Sequence, residues 1–358
     1  MKILYLSPVP YEGAGCRFRI YQYLPYLKQQ GFKCSVSPFL FKLFFKTVYK
    51  KGRLLPKLIF FAFSFIRRIF DLARAVNYDL VVIYRESFPI GPPIFEYLLK
   101  FFGKKIIFDY DDAIFLPASS EANSILGRLR CPDNTGKIIK ISKGAIAGNS
   151  YLRDYGLQFN PKISIIPTVI DTDKFRPAAK SHNQNVVIGW TGTSSTQGYL
   201  LQLKDVFKTL LSKYPEIEIR IIGAADQLFD LDRVIYQDWS LDEEVSVIQD
   251  FCIGLMPLPD TEWARGKCGF KMIQYMACGI PAVATDVGAN KEIIQNEVNG
   301  FLVSSADDWL KKISFLIENP QVRQKMGIAA RGLIEEKFSL KRYKAEYAGN
   351  ILRALNQR

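Results

Sequence analysis

The chain has 358 residues, of which 48% are hydrophobic and 23% charged, a balance that fits a folded protein of two domains and excludes a disordered or fibrous one. Its net charge of +13 is unevenly placed: residues 1–180 hold 28 Lys and Arg against 13 Asp and Glu, residues 181–358 hold 20 against 22, so the first half is expected to meet something acidic. The six cysteines form no Cys-x-x-Cys pair, which argues against a disulfide framework or a zinc site and for small buried side chains in a reducing compartment.

MKILYLSPVP is too short in its apolar run for a signal peptide, and 3–10 reads as a buried parallel strand with its turn. Gly13 and Gly15 follow in YEGAGCRFR (11–19), then Arg17 and Arg19, which would oppose the dipole of a helix starting there. They serve either a ligand or an ordinary glycine turn with exposed arginines. Ile20, Tyr23, Leu24 and Leu27 recur at helical spacing, and Gly31 closes that segment. The stretch 39–70, FLFKLFFKTVYKKGRLLPKLIFFAFSFIRRIF, is basic and aromatic and has no acid. Its longest apolar piece falls short of the roughly 20 residues that span a bilayer. It suits an anionic membrane surface, or else a core helix with a solvated basic rim; no nucleic-acid-binding motif accompanies it.

LVVIY (80–84), KIIFDY (105–110), GAIAGN (144–149) and SIIP (164–167) are further short apolar runs, separated by stretches long enough for helices. The alternation predicts an open parallel sheet. Arg85 and Glu86 end one strand, and Asp109, Asp111 and Asp112 end the next, at the edge where open α/β sheets bind ligands. Arg85 and Glu86 are ligand groups or a buried pair of their own. Three carboxylates sharing a site would raise one another's pKa. Either Asp109 and Asp111 hold a divalent metal with a diphosphate, or Asp111 and Asp112 orient an acceptor hydroxyl.

The polar stretch 171–185 reads as a linker; it holds the sole histidine, His182, so a histidine base is not expected. The pattern then restarts with VVIGWTG (186–192), a helical stretch over 199–213, IEIRIIG (217–223), CIGLMPL (252–258) and PAVAT (281–285). Gly192, Thr193 and Ser194 form a loop able to face a phosphate, or an ordinary helix cap. In RGKCGFKMIQYMACGIPAVATDVGANKEI (265–293), Gly269 opens a helix, with Phe270 facing the core and Lys271 and Gln274 on a second face. Lys271 stands in the first turn, where a cation opposes the helix dipole, and Arg265 and Lys267 add to that conflict. A bound diphosphate would remove it; a solvated basic turn is the other reading.

Met276-Ala277-Cys278-Gly279-Ile280-Pro281, followed by an apolar strand, resembles the donor-site segment of the retaining glycosyltransferases of the GT-B fold, the large family often called family 4. The resemblance implies two facing Rossmann-like domains, here 1–170 and 186–338 around the linker, with a helix over 339–358 returning to the first. It implies that Gly192, Thr193 and Ser194 touch a donor diphosphate and that Gly13 and Gly15 belong to the same chemistry. Members usually carry two glutamates, one on the donor sugar and one on the ribose; those positions are Gly266 and Gln274 here. Gln274 can still hydrogen-bond a ribose hydroxyl, whereas Gly266 offers no side chain.

The expected reaction is sugar transfer with retention from a nucleotide-sugar to a glycan or lipid-linked acceptor, for cell-surface polysaccharide or glycolipid. The transition state would resemble an oxocarbenium ion, and Lys271 with Arg265 or Lys267 would stabilise the departing diphosphate in place of a metal. The nucleotide-sugar is a substrate and no cofactor is expected. The expected location is the cytoplasmic face of a membrane, held peripherally. A nucleotide-sugar-binding protein or an epimerase of the same fold is the alternative. A dinucleotide-dependent oxidoreductase fits less well, because no Gly-x-Gly-x-x-Gly follows the first strand.

Overall fold

The structure, a computed structural model, describes residues 1–48, 52–117, 131–178 and 185–357. The sole histidine and most of the second half of the expected linker fall outside these residues. The chain divides into two units, Met1–Val169 with Tyr343–Arg358, and Ile170–Arg342.

The first unit runs β1 (Lys2–Ser7), α1 (Ala14–Arg19), α2 (Leu24–Gln29), β2 (Lys33–Pro38), α3 (Lys42–Val48), α4 (Leu54–Ala75), β3 (Leu80–Tyr84), α5 (Ile94–Phe101), β4 (Lys105–Tyr110), α6 (Asn134–Ile141), β5 (Gly144–Ala147), α7 (Ser150–Leu157) and β6 (Ile163–Ile165). Its strands pair in parallel in the order β2-β1-β3-β4-β5-β6. Every residue of β3 is buried, as a strand covered on both faces must be, which is why LVVIY is a continuous apolar run.

The second unit runs β7 (Val186–Thr191), α8 (Ser194–Gln197), α9 (Lys204–Lys213), β8 (Ile217–Ile222), β9 (Val234–Gln237), α10 (Glu244–Gln249), β10 (Ile253–Met256), α11 (Glu262–Arg265), α12 (Phe270–Ala277), β11 (Ala282–Thr285), α13 (Ala289–Ile293), β12 (Gly300–Val303), α14 (Ala306–Glu318) and α15 (Pro320–Lys337), and the chain then continues into α16 (Leu340–Asn356). Its strands are again parallel, in the order β12-β11-β10-β7-β8-β9. Ile188, Trp190, Phe207, Ile219, Leu255 and Val283 form the centre of its core. Most of α16 belongs to the first unit: Tyr347, Ala348, Ile351 and Ala354 are buried, and the Tyr347 ring stacks on Tyr23 at 4.0 Å. Two parallel six-stranded sheets clad in helices make this an α/β fold of two domains.

Several elements differ from the pattern read in sequence. The helix expected through Ile20, Tyr23, Leu24 and Leu27 is two short helices joined by a 3-10 turn over Tyr21–Tyr23. Pro25, which has no N–H to give, sits in the first turn of α2, where that lack costs nothing. Because α1 starts at Ala14, Arg17 and Arg19 lie in its last turn and favour its dipole rather than oppose it. Both are buried, not exposed. Strands β2, β9 and β12 were not foreseen; all three are sheet edges.

Candidate functional site

In the second unit the carboxyl end of β7 carries the first half of a site. Trp190 is fully buried, and the backbone N–H of Thr191 donates to the Tyr275 hydroxyl of α12 at 2.9 Å. That bond is buried, and burial drives the Tyr275 hydroxyl well above its ordinary pKa, so it stays neutral and can serve this contact. Gly254 on β10 makes room for the ring: a Cβ there would lie 2.2 Å from it. The contact pins the start of the donor-type segment against β7.

The loop after β7 then turns through Gly192 into α8. A Cβ on Gly192 would fall 2.2 Å from the Trp190 ring and 3.0 Å from Lys271 Cε. Thr193 N–H donates to Thr196 Oγ1 at 3.4 Å and its hydroxyl lies 2.9 Å from that of Ser195, so the helix start is ordered by its own side chains. Gln197 is buried and holds the next loop, accepting from Ala225 N–H at 2.7 Å and donating to Asp226 at 2.9 Å. Thr193 and Ser194 stay exposed at the rim.

Lys271 meets this loop. It stands in the first turn of α12, with Gly269 as the capping residue at φ +63. Its ammonium donates to Thr196 Oγ1 at 3.3 Å and lies 5.5 Å from the centre of the Trp190 ring. The structure thus brings together Gly192, Thr193, Ser194, Gly269 and Lys271, which the sequence offered as two separate candidates. Phe270, beside them, is half-buried. Gly269 has its own steric demand, since a Cβ would lie 2.6 Å from Ile293 Cδ1.

The other basic residues are arranged differently from expectation. Arg265 ends α11 rather than leading into α12, and pairs with exposed Asp260 at 3.1 Å. Lys267 lies 5.3 Å from the centre of the Trp263 ring. Gln274 is 5% exposed and donates to Glu244 of α10 at 3.2 Å, so the amide expected to reach a ribose is engaged inside the unit. Glu244 escaped the sequence reading; it sits in a helix of mixed composition with no motif to mark it.

In the first unit, the carboxyl ends of β3 and β4 gather a second set. The three aspartates do not share one site. Asp109 is fully buried and takes two bonds from Arg19, at 2.9 and 2.6 Å, on a single oxygen; Arg19 also donates to Ile166 O at 2.6 Å. Burial, only partly offset by Arg19, pushes the Asp109 carboxyl up to about 6; Asp111 contributes less. Asp111 and Asp112 belong instead to Arg85, at 2.7 and 2.5 Å, and the Tyr84 hydroxyl donates to Asp111 at 2.8 Å. Arg85 therefore pairs across to β4's end, not with neighbouring Glu86, which is itself buried. Its backbone is left-handed at φ +63, and its N–H donates to Asp109 O at 2.7 Å.

Gly15 lies against the same group, since a Cβ there would fall 2.2 Å from the Tyr84 oxygen. Gly13 caps α1 and donates to Pro10 O at 2.9 Å. Arg17 stacks its guanidinium 4.9 Å from the Phe18 ring. Among the described residues, no group of three or more His, Cys, Asp or Glu could hold a metal ion.

Residues 185–319 match the family model described as glycosyl transferases group 1. A capsular polysaccharide biosynthesis glycosyltransferase of Staphylococcus aureus, CapM, is 24% identical over 167 residues, a stretch covering 44% of this chain and 43% of that relative. The chain thus spans less than half the length of the curated relative it matches. The fold is similar over its whole length to a glycosyltransferase from Rickettsia africae, with a TM-score of 0.70 and 17% identity over 100% of this chain and 99% of that one. HepE of Anabaena, in complex with UDP-glucose, has a TM-score of 0.67 and 16% identity over 98% and 99%. A sucrose-phosphate synthase from Thermosynechococcus elongatus has 0.69 and 14% over 99% of each.

Proposed function

We propose that this chain is a group 1 glycosyltransferase that moves a sugar from a nucleotide-sugar donor to a glycan or lipid-linked acceptor, with retention, in the synthesis of cell-surface polysaccharide or glycolipid. The observation that carries the reading is the meeting of Lys271 with the Gly192–Thr196 loop at the carboxyl end of β7. A cation in the first turn of a helix is unfavourable until an anion arrives, and a loop with exposed hydroxyl residues and a helix start suits a diphosphate.

In the reaction, the bond from the anomeric carbon to the diphosphate oxygen breaks. A bond to the acceptor oxygen forms on the same face, and the acceptor's proton leaves with the diphosphate. Negative charge grows on the leaving group, where Lys271 and the starts of α8 and α12 stabilise it, in the role a metal ion plays elsewhere. Asp111 and Asp112, held in place by Arg85, orient the acceptor hydroxyl. HepE, of similar fold, has been seen with UDP-glucose, so UDP-sugars head the donor panel. The enzyme works at the cytoplasmic face of a membrane.

The test is a thermal-shift screen against UDP-, GDP- and ADP-sugars, followed by transfer assays with the donor that stabilises the protein. We expect one nucleotide class to raise the Tm and transfer to persist in chelator. Loss of activity in chelator with recovery on manganese would sink the metal-free part. Donor binding with neither transfer nor hydrolysis would favour the binding protein or epimerase.

A further inference from the structure

Helix α4 is built with its apolar side outward. Leu54, Leu55, Ile59, Phe63, Ile66 and Phe70 are each between 51% and 71% exposed, and at about 100° per residue they fall on one half of the helix. The opposite half, which faces the sheet, buries Ser64, Arg68 and Asp71. Two of them are paired there in part: Arg68 pairs with Asp71 at 3.0 Å, and Asp71 also accepts from Ser37 Oγ at 2.6 Å. A surface helix of a soluble protein has the reverse arrangement, because each exposed large side chain forgoes the stabilisation of burial. Neighbouring α5 extends the exposed apolar surface with Phe101, 83% exposed. The rings of Phe65, Phe88 and Phe95 lock the two helices together.

We infer that the outward face of α4, extended by α5, inserts in the plane of an anionic lipid bilayer, and that apolar insertion rather than charge supplies most of the attachment. The charge around the face chooses this occupant. No acidic residue occurs from Phe39 to Phe70, whereas Lys42, Lys46, Arg53, Lys57 and Arg67 do. The first acid beyond, Asp71, is buried against Arg68. Lys42 already pairs with Glu12 at 3.0 Å and Arg67 donates to Pro38 O at 2.8 Å, but a second copy seated on this face would still bring the remaining cations of both chains together with no acid between Phe39 and Phe70 to pair them, while anionic headgroups would neutralise them. At 22 residues α4 has the length to cross a bilayer, but it carries Ser64, Arg67, Arg68 and Asp71, and no helix among the described residues is long and apolar enough to span. It therefore lies in the interface, its apolar half buried about 5–10 Å deep. The inference rests on the proposed acceptor reading only for its use, since a lipid-linked acceptor is met at such a surface.

The test is co-sedimentation of the whole chain with vesicles of phosphatidylcholine alone and of phosphatidylcholine with phosphatidylglycerol, at low salt and at about 1 M, where the Debye length is about 3 Å. Binding to the anionic vesicles is expected to weaken but survive at high salt. Leu55→Asp/Ile59→Asp/Ile66→Asp is expected to lower it at least about tenfold, with the Tm and transfer to a water-soluble acceptor unchanged because each of those side chains is more than half exposed already. Failure to bind either vesicle overturns the inference, as does binding that the triple variant leaves intact. Binding abolished by salt overturns the insertion and leaves only charge. Dimerisation abolished by the triple variant, without vesicle binding, assigns the face to a second copy. Vesicle binding is read without a donor, so it can fail while transfer succeeds, and the reverse.

Discussion

Asp109 sets a slope of stability with pH that a single substitution removes. Its carboxyl is pushed up to about 6, chiefly by burial, against about 3.9 in an unfolded chain. The Arg19 pair does not satisfy it fully, because both bonds fall on one oxygen and the other finds no partner among the described residues. Between about 4 and 6 the folded protein keeps a proton that the unfolded chain has released. Stability therefore falls as pH rises through that window, is unaffected by this group below it, and carries the full cost above it. At about 1.4 kcal/mol for each tenfold change in proton affinity, the difference comes to about 3 kcal/mol. In Asp109→Asn this slope is absent, and Arg19 lacks a counter-charge at every pH, as it does in the wild type only below about pH 6. The measurement is hydrogen exchange in β4 across the pH series, corrected for intrinsic exchange, for both proteins. All four tryptophans, Trp190, Trp239, Trp263 and Trp309, lie in the second unit, so tryptophan emission serves as an internal control that Asp109 does not influence. Parallel curves for wild type and variant between pH 4 and 6 would refute the reasoning, since the buried carboxyl would then titrate as in the unfolded chain.

Lys271→Ala is expected to lower kcat by about 100-fold or more, the scale for removing one group that stabilises developing charge. Its Tm should hold or rise, since a first-turn cation opposes the helix dipole; a fall in Tm with unchanged kcat would make Lys271 a structural residue. Gly15→Ala places a methyl 2.2 Å from the Tyr84 oxygen and should cost about 1–3 kcal/mol in urea melts. Adding Tyr84→Phe removes that atom and should recover part of the loss. Additive losses in the double variant would show that the clash is absorbed elsewhere.

What the sequence made legible follows from burial. LVVIY and KIIFDY announce central strands because both faces of a parallel sheet are covered. KCSVSP at β2 and VIYQ at β9 lie on sheet edges, half-exposed, and keep no apolar run to detect. Arg85 was offered Glu86 as a partner, but β3 ends at Tyr84 and the backbone at Arg85 is left-handed, a turn that its residue type does not announce. The parallel register sets Tyr84 beside Asp109, which carries Arg85 to Asp111 and Asp112 just beyond. Gly192 to Ser194 and Lys271 were each visible as local patterns, yet some 75 residues separate Lys271 from Thr196, and only the pairing of strands brings them together. For α4, composition gave the apolar and basic character but not which side turns inward. That depends on Ser37 of β2 and on Asp71 lying outside the basic run, which supply buried polar partners for Arg68.

The departure at Gln274 has a cause within the chain. The resemblance puts a glutamate there, and the position is buried on α12 at hydrogen-bonding distance from Glu244 of α10. Two carboxylates about 3 Å apart in a buried site do not both ionise; one takes up a proton at a cost in stability at neutral pH. An amide avoids that conflict and donates a hydrogen bond to the carboxylate that remains. The pair holds one carboxyl group, the same number as a lone glutamate at 274, but it stands on another helix, one hydrogen bond away. Gln274 lies one turn after Lys271 on the same helix. The second unit thus retains a carboxyl group beside the middle of α12, with Glu244 supplying it and Gln274 occupying the position. Gly266, which ends α11, has no such compensation, and nothing in the structure explains it.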